Sequence, residues 1–475
     1  MTKKSFRTES DLLGSKDVPA DALYGVQTAR AIENFHISGI PLSGFPNFIK
    51  GLAFTKKAAA IANEKVEMIT KEQSRAIQAA CDDLLAGKYH EQFPVDMIQG
   101  GAGTSTNMCA NEVIANLALL RMGHNLGEYE YCYPNDVVNA SQSTNDAYPC
   151  AIHLAMGLEH LELIPHIEAL INSLDKKAKE FAHVVKMGRT QLQDAVPMTL
   201  GQTFSAFAAA LRHEVRNLNV AAREFLTVNM GATAIGTGIC SKPGYSRACV
   251  EALRKVTGWD IVLADNLVEA TSATSCMIQY SAAMKRLCIK TNKICNDLRL
   301  MSSGPRCGLN EIHLPERQPG SSIMPGKVNP VIPEVMNQVA YKVIGNDFCI
   351  TIAADNAQLE LNVMEPVMAY TLFESVHLLK NGLDTLRTLC IDGIMANEER
   401  CRQLVEGSIG IVTMLNPIIG YKTSTKIAKE ASETGRGVYE LVLEHKLLTK
   451  EQLDKILVPE NMLEPVDLSE VVKMK

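Results

Sequence analysis

Residues 267–302 read LVEATSATSCMIQYSAAMKRLCIKTNKICNDLRLMS and set the architecture of the whole chain. Buried-type side chains recur in this segment at alternating steps of three and four, the spacing of a seam along a long α-helix. The seam consists of Met277, Tyr280, Met284, Leu287, Thr291, Ile294, Leu298 and Met301, with Thr291 as its one polar interruption. A helix over the whole segment would be on the order of 50 Å long, a length typical of helical bundles.

Two neighbouring segments repeat this spacing. One carries Leu154, Leu158, Leu161, Ile167, Ile171 and Leu174, and the other carries Phe204, Phe207, Leu211, Val215, Leu218, Ala222 and Phe225. Further apolar helices are predicted from Pro333 to Ala354 and from Pro366 to Ile391. The sequence therefore predicts a mainly α protein, with a central domain of five long helices between about residues 147 and 391.

No linker rich in Pro, Gly or Ser separates the domains, so their boundaries are placed where the helical pattern starts and ends. We expect an N-terminal domain over residues 1–143, a central helical bundle over 144–396 and a small C-terminal domain over 397–475. Several of the helices carry more apolar surface than one bundle can bury. This excess indicates association between subunits.

The charge balance argues against several classes of partner. The chain has 47 basic and 53 acidic residues, a net charge of −6, and no long basic run. We therefore expect no nucleic-acid partner and no membrane partner, since both need concentrated positive charge. No apolar run is long enough for a transmembrane helix, and MTKKSFRTESDLLG at the N-terminus lacks the apolar core of a signal peptide. A soluble, cytoplasmic protein is expected.

The cysteines and histidines do not follow metal-binding or disulfide patterns. The 13 cysteines are scattered without a Cys-x-x-Cys pair, which predicts reduced thiols in a reducing compartment. The 11 histidines form no zinc motif, and we interpret His153, His160 and His166 as packing or surface residues. No structural metal is expected.

Four short polar clusters interrupt the helical pattern, and we predict that each lies just before a helix start. They are Gly100–Asn107, Ser141–Asp146, Gly188–Asp194 and Gly320–Pro330. Helix starts offer free amide hydrogens and a partial positive charge, so clusters of hydroxyl and amide side chains there could hold a small dianion. The alternative is that each cluster serves only as an N-cap, a role that Ser, Thr and Asn also favour.

The last cluster, GSSIMPGKVNP, is the most informative. Its paired serines lie between Gly320 and Gly326, and Pro325 and Pro330 stiffen it, which predicts a mobile loop with stiffened ends rather than a strand or helix. Lys327 would supply one cation for a specific carboxylate. The segment contains neither a Gly-x-Ser-x-Gly elbow nor a Walker-type phosphate loop, so it favours neither a hydrolase nor a nucleotide-binding protein.

GSSIMPGKVNP resembles the signature of the aspartase/fumarase superfamily, and the resemblance covers nearly the whole chain. The other matching segments are GTSTNMCANEV (Gly103–Val113), SQSTNDAYP (Ser141–Pro149), GRTQLQDAVPMTLGQ (Gly188–Gln202), NMGATAIGTG (Asn229–Gly238), SSGPRCGLNEI (Ser302–Ile312) and LELNVMEP (Leu359–Pro366). Within the superfamily the sequence is most similar to aspartases. Thr144, the VIPEV run over Val331–Val335 and the NVMEP segment carry that similarity.

The resemblance implies a three-domain subunit in a homotetramer with a twenty-helix core, whose active sites each combine segments of three subunits. It implies L-aspartate as substrate, fumarate and ammonia as products, and Ser321 as the general base that removes a proton from C3. The residues implied to bind the β-carboxylate are Thr104, Ser143, Thr144 and Ser322, and those for the α-carboxylate are Lys327, Asn329 and Thr190, with Asn145 near the amino group. No cofactor is required for the chemistry, and Mg²⁺ is expected at most as an activator.

This chemistry explains the choice of residue types. A proton beside a carboxylate is weakly acidic, so preorganised donors must stabilise the dianionic aci-carboxylate that its removal creates. A serine becomes a base only where amides and a cation lower its pKa.

Gln191 departs from the pattern, because fumarases and some aspartases carry histidine at this position. Glutamine cannot titrate, which suits the loss of ammonia and is awkward for the loss of hydroxide. Two alternatives stay open: a fumarate hydratase and a catalytically silent structural paralogue.

Overall fold

The computed structural model describes residues 5–458, 461, 465–468 and 470, and it confirms the mainly α fold class. Its helices are α1 (Val26–Asn34), α2 (Pro46–Lys65), α3 (Lys71–Leu85), α4 (Thr104–Arg121), α5 (Thr144–Glu180), α6 (Leu200–Ala222), α7 (Tyr245–Thr257), α8 (Leu267–Ser272), α9 (Ser275–Met301), α10 (Val331–Asp355), α11 (Glu365–Leu389), α12 (Glu398–Glu406), α13 (Val412–Ile419), α14 (Tyr421–Thr434), α15 (Val438–Glu444) and α16 (Lys450–Ile456).

The strands are short and form four pairs. They are β1 (Phe6–Asp11) with β2 (Gly14–Pro19), β3 (Val185–Thr190) with β4 (Gln193–Thr199), β5 (Thr227–Val228) with β6 (Val262–Leu263), and β7 (Ile312–His313) with β8 (Met395–Ala396). Only β5 and β6 run parallel; the other three pairs are antiparallel. Among the described residues, sheet structure is therefore limited to two hairpins, β1–β2 and β3–β4, and two short strand pairs between segments that are distant in sequence.

The chain divides into two compact units. Unit 1 consists of residues 1–164, 216–286 and 342–379, and unit 2 of residues 165–215, 287–341 and 380–475. The boundaries between these units fall inside α5, α6, α9, α10 and α11. The three consecutive domains expected from the sequence stay a prediction.

Helix α9 confirms the predicted seam. All eight seam residues from Met277 to Met301 are buried, and the hydroxyl of Thr291 donates to the carbonyl oxygen of Leu287 at 2.9 Å, so the polar interruption is satisfied within the helix. The predicted single helix over 267–302 is wrong at its start, because extended backbone at Ala273 separates α8 from α9. The hydroxyl-rich TSATS stretch competes for backbone hydrogen bonds, as when Thr271 donates to Leu267 O at 2.7 Å.

The other four predicted helices are present as α5, α6, α10 and α11, which gives the predicted five long helices. Polar contacts show how α9 and α10 pack in each unit. In unit 1, Ser281 donates to Asp347 Oδ1 at 2.9 Å. In unit 2, Asn337 donates to Asn296 Oδ1 at 3.2 Å. Residue numbers rise along one helix as they fall along the other, so the two helices are antiparallel.

Helix α10 also carries an exposed apolar stripe. Tyr341 is 56% exposed, Phe348 66% and Ile352 48%, and their spacing places them on one face. Cys349 lies beside them and is likewise exposed. Within the part of the chain that the structure describes, no helix combines the length and apolar character needed to cross a membrane.

Burial and hydrogen bonding describe the surroundings of most cysteines and of His153 and His160. All 13 cysteines are free, and ten of them are buried. His153 Nδ1 lies 2.9 Å from the carbonyl oxygen of Thr227, and its Nε2 lies 3.1 Å from Cys276 Sγ. Burial lowers the pKa of His153 to about 4. His160 bonds to Tyr280 and Asn219, so the interpretation of His153 and His160 as packing residues is confirmed.

Candidate active site

Segment 139–146, named here the Ser143 turn, leads into α5. The Oγ of Ser143 accepts a hydrogen bond from the backbone N–H of Asn145 at 3.2 Å. The backbone N–H of Ser143 donates to Asp146 Oδ1 at 2.9 Å. This reciprocal capping fixes Ser143, Thr144 and Asn145 at the first turn of α5, where free amide hydrogens favour an anion.

Asp146 links the Ser143 turn to the backbone of Gly231 and Thr233. Its Oδ2 accepts from the backbone N–H groups of Gly231 and Thr233, both at 3.0 Å. The residue is fully buried, and burial raises the pKa of Asp146 to about 6 against the opposing effect of these hydrogen bonds. The carboxylate is therefore occupied by backbone donors within unit 1.

Two hydrogen bonds hold Asn145, one through its side chain and one through its backbone carbonyl oxygen. Its Nδ2 donates to the carbonyl oxygen of Ala234 at 2.8 Å, and its own carbonyl oxygen accepts from Asn229 Nδ2 at 3.1 Å. The half-buried side chain thus has a fixed orientation at the start of α5.

The start of α4 lies against the start of α5. Gly103 has φ +88°, and a Cβ there would lie 2.5 Å from the ring of Tyr148, so only glycine permits this approach. Thr104 is exposed, and its hydroxyl donates to Gly101 O at 2.6 Å. Asn107 Nδ2 donates to Thr144 Oγ1 at 3.1 Å. Four predicted site residues, Thr104, Ser143, Thr144 and Asn145, thus come to two adjoining helix starts in unit 1.

A buried lysine lies beneath this pair of helix starts. Lys56 on α2 is fully buried and donates to Asn139 Oδ1 at 2.9 Å and to Gln142 Oε1 at 3.0 Å. Burial lowers the pKa of Lys56 to about 7. Sequence reasoning missed Lys56, although a lysine in the apolar, alanine-rich run of α2 was a signal for a buried cation. It also assigned no role to Asn107, although this residue lies in the first polar cluster.

The third polar cluster contains Thr190, and its predicted position is wrong. Gly188–Asp194 does not precede a helix directly: it forms the turn of the β3–β4 hairpin, and α6 begins only at Leu200. Gln191 and Leu192 adopt φ +54° and +62°, the left-handed backbone of a two-residue hairpin turn. Such turns usually contain Asn-Gly or a similar pair, so Gln-Leu gave no turn signal.

The base of this hairpin is an ionic cluster in unit 2. Glu311 is fully buried; its Oε1 accepts from Arg189 Nη1 at 2.8 Å, and its Oε2 lies 3.6 Å from Lys186 Nζ. Thr190 and Gln191 extend beyond the cluster and are exposed. The hairpin therefore has a firmly held base and an accessible tip.

Residues 320–330, named here the Ser321 loop, precede α10 and have no helical or strand structure, as predicted. Ser321, Ser322 and Lys327 are exposed, and Asn329 is half-buried. Three backbone hydrogen bonds close the loop on itself: Gly320 N donates to Lys327 O at 2.6 Å, Met324 N to Ser321 O at 2.9 Å, and Lys327 N to Met324 O at 3.2 Å. A Cβ on Gly320 would lie 2.4 Å from Lys327 O, so glycine is needed for this closure.

Each unit therefore presents part of the predicted set. Among the described residues, no hydrogen bond links Thr190 to the Ser321 loop, although both belong to unit 2. In residues 5–458 and the few described beyond them, no group of three or more His, Cys, Asp or Glu side chains could hold a metal ion. Unit 1 offers hydroxyls, amides and helix-start N–H groups, and unit 2 offers hydroxyls, an amide and the Lys327 side chain; donors of these kinds suit a small carboxylate.

Comparison with known families shows which family the chain belongs to. The model of the family described as Lyase matches residues 14–345, and that described as Fumarase C C-terminus matches residues 411–464. The first match alone covers more than half of the chain. The chain belongs to this lyase family, within the aspartase/fumarase superfamily.

Individual proteins match over almost their full length. The aspartate ammonia-lyase of Pseudomonas aeruginosa is 58% identical over 97% of this chain and 98% of its own, and that of Escherichia coli is 54% identical over 97% of both. The crystal structure of fumarate lyase:delta crystallin from Brucella melitensis, bound to cobalt, matches with a TM-score of 0.94 at 48% identity over 97% of this chain and 100% of that one. A class II fumarase from Schistosoma mansoni matches with a TM-score of 0.90 at 34% identity, also over 97% and 100%.

Proposed function

We propose that this protein is a carbon–nitrogen lyase that converts L-aspartate reversibly to fumarate and ammonia. The observation that carries the proposal is the pair of helix starts of α4 and α5, which present hydroxyl and amide donors while the carboxylate of Asp146 beneath them is occupied by backbone N–H groups. Such a surface favours an anion that gains charge during the reaction. The near full-length similarity to aspartate ammonia-lyases supports the same substrate.

In the proposed mechanism, Ser321 takes the proton from C3 of aspartate. The electron pair left behind moves into the β-carboxylate, and Thr104, Ser143, Thr144 and Ser322 donate hydrogen bonds to the resulting aci-carboxylate. The pair then returns to form the C2–C3 double bond, while the C2–N bond breaks and its electrons leave with neutral ammonia. Lys327, Asn329 and Thr190 hold the α-carboxylate, and Asn145 lies near the departing amino group.

The direct test is an ultraviolet assay of fumarate formation from L-aspartate and from L-malate. Turnover of aspartate well above that of malate is expected, because Gln191 supplies no acid for the loss of hydroxide. Malate turnover equal to or above that of aspartate would favour a fumarate hydratase, and inactivity on both would favour a structural paralogue. The assay runs in a chelator, since no cofactor is proposed, and added Mg²⁺ then tests for activation.

We also propose a homotetramer in which segments of three subunits complete each active site. The exposed apolar stripe of α10, with Tyr341, Phe348 and Ile352, supports association, because such a surface is unfavourable in water. The free thiols support a cytoplasmic location, where such groups stay reduced.

Subunit mixing tests the shared site. Lys327→Ala and Ser143→Ala subunits, each inactive alone, should regain partial activity when dissociated and reassociated together, because some mixed sites would contain neither change. The measurement is aspartate turnover of the mixture, with each variant reassociated alone as control. Properly mixed tetramers that recover no activity would favour a site built within one chain.

A further inference from the structure

The Ser143 turn is connected to a fully buried charge by a chain of hydrogen bonds whose directions can be read. Lys56 Nζ donates hydrogen bonds to both neighbours, so Asn139 and Gln142 turn their oxygens toward it. Their nitrogens then face backbone carbonyls: Asn139 Nδ2 donates to Gln142 O at 3.2 Å, and Gln142 Nε2 donates to Val138 O at 3.0 Å. Lys56 on one side and these backbone carbonyls on the other therefore fix the orientation of each amide.

The same logic continues through Asn107 to the candidate site. Asn139 Oδ1 also accepts from Asn107 Nδ2 at 3.2 Å, and Nδ2 of Asn107 has a second hydrogen, which it donates to Thr144 Oγ1 at 3.1 Å. The reverse orientation of Asn107 would set two carbonyl oxygens against each other. The observed orientation leaves Asn107 Oδ1 buried without a hydrogen-bond partner, a cost of a kind that folded proteins seldom carry.

Thr144 stands at the end of this chain. Because its oxygen accepts from Asn107, the hydrogen of its hydroxyl must point away from Asn107. A hydroxyl held in this way meets a ligand as a donor.

We propose that Lys56, acting through Asn139 and Asn107, fixes the Thr144 hydroxyl as a hydrogen-bond donor to the substrate carboxylate that becomes the aci-carboxylate. This inference rests on the proposed function and assigns Lys56, Asn139 and Asn107 as positioning residues. The donor needs no reorientation as charge develops, which is the condition under which a single hydrogen bond accelerates a reaction most.

The main test reverses the polarity at one link. Asn107→Asp replaces the donor with an acceptor, so the Thr144 hydroxyl should turn toward residue 107 and kcat should fall by about 10²-fold or more, with a smaller change in KM. Asn107→Leu removes the donor without reversing it, and kcat should fall by only about 10-fold. Thermal midpoints are measured for both variants. A loss of kcat that tracks the loss of stability, or a Leu variant that is worse than the Asp variant, would overturn the relay.

Asn111 provides the matched control. It lies one turn further along α4, is as buried as Asn107, and donates to Met108 Sδ at 3.4 Å rather than to the Ser143 turn. Asn111→Asp and Asn111→Leu should change kcat by less than about threefold, whatever they do to stability, because they break no link to Thr144. If they reproduce the Asn107 pattern, burial of the amide rather than the relay determines activity.

A double-mutant cycle shows whether Asn107 acts through Thr144. In a Thr144→Val background, Asn107→Leu should lower kcat no further, because the hydroxyl that it orients is gone. Losses of activity that multiply independently would overturn the proposal.

Neutron diffraction of the protein without ligand separates this inference from the proposed function. The deuterium on Thr144 Oγ1 should point away from Asn107 whatever the substrate proves to be. A deuterium directed at Asn107 would refute the relay even if aspartate is turned over, whereas absence of aspartate turnover with the expected deuterium position would refute only the function.

Discussion

The two segments that carry most of the candidate site are built in opposite ways. The Ser143 turn rests on buried polar groups, with Asp146 and Lys56 fully buried and Asn107 bonded to Thr144. The Ser321 loop is exposed from Ser321 to Val328 and is closed by hydrogen bonds within its own backbone. Buried side chains hold the Ser143 turn in place, whereas hydrogen bonds within its own backbone hold the Ser321 loop.

The difference suits the role that is proposed for each segment. Donors that stabilise a developing charge act best when they are already oriented, and a buried network provides that orientation. A base that must reach the substrate and then release product benefits from a segment that opens at little cost, and an exposed loop with few outside bonds is of that kind. We therefore expect changes in the loop to alter activity alone, and changes around the turn to alter both activity and stability.

The largest effect is expected for Ser321→Ala. Loss of the proposed base should reduce turnover by several orders of magnitude, while the thermal midpoint stays unchanged because the side chain is exposed. Aspartate turnover and differential scanning calorimetry check both halves of this expectation. A variant that keeps more than about a tenth of wild-type turnover would place the base on another residue.

Substitution of one glycine near each segment allows a direct comparison of the two. Gly103→Ala combines a left-handed backbone with a clash against the Tyr148 ring, so it should lower the free energy of unfolding by roughly 2–5 kcal/mol and reduce activity as well. Gly320→Ala clashes with Lys327 O in the exposed loop and should reduce turnover with a stability loss below about 1 kcal/mol. Denaturant unfolding and turnover are measured for both. Equal stability losses would remove the contrast between the two segments.

A pH-dependent effect is expected at Glu365, a buried acid on α11 in unit 1 whose charge acts on Tyr148. Burial raises the pKa of Glu365 to about 8. The folded protein then keeps a proton that the unfolded chain releases above its ordinary pKa of about 4.5, so stability falls as pH rises from there to about 8, by at most about 1.4 kcal/mol per pH unit.

Glu365→Gln should remove this slope. The variant should match wild type near pH 4 and be progressively more stable up to pH 8, as measured by urea unfolding across that range. Glu334→Gln, at a half-exposed position on α10, is the control for removing one carboxylate by the same substitution. Parallel stability curves for wild type and Glu365→Gln would mean that the carboxyl ionises in the folded state as it does in the unfolded chain.

The smallest effect is expected at Gln191, on the exposed tip of the β3–β4 hairpin. Gln191→Ala should weaken transition-state binding by about one hydrogen bond, roughly 0.5–3 kcal/mol, without changing the shape of the pH–rate profile. Gln191→His should keep aspartate turnover and should not create efficient turnover of malate. The check is kcat/KM against pH on both substrates. A new ionisation in Gln191→Ala would reveal an acid that the glutamine masks.

The sequence predicted the parts of the fold that depend on a repeating pattern. The seam from Met277 to Met301 was confirmed because burial on one helix face imposes a period on the chain. The break at Ala273 was missed because local hydroxyl-to-backbone bonds leave no period. The β3–β4 hairpin was missed because Gln191 and Leu192 are not residues that favour left-handed backbone.

For the candidate site, the sequence located the helix starts but not what lies beneath them. Ser143 and Thr144 stand out in a polar cluster, and the structure places them at the N-terminus of α5 as the cluster predicted. Lys56 is 88 residues from Thr144 in sequence, and only the packing of α2 shows that the two belong to one hydrogen-bond chain. Contacts between residues so far apart leave no pattern in any short segment of the sequence.

The rate at which the thirteen free thiols react can show whether copies of the chain associate. Ten of them are buried, and burial raises the pKa of Cys81, for example, to about 12, so these sulfurs react with an alkylating reagent only when the core opens. Cys240, Cys307 and Cys349 are exposed, and Cys349 lies in the apolar stripe of α10. If the proposed tetramer forms and covers that stripe, mass spectrometry should find two fast-labelled sites in the assembled protein, three after dissociation and thirteen after unfolding.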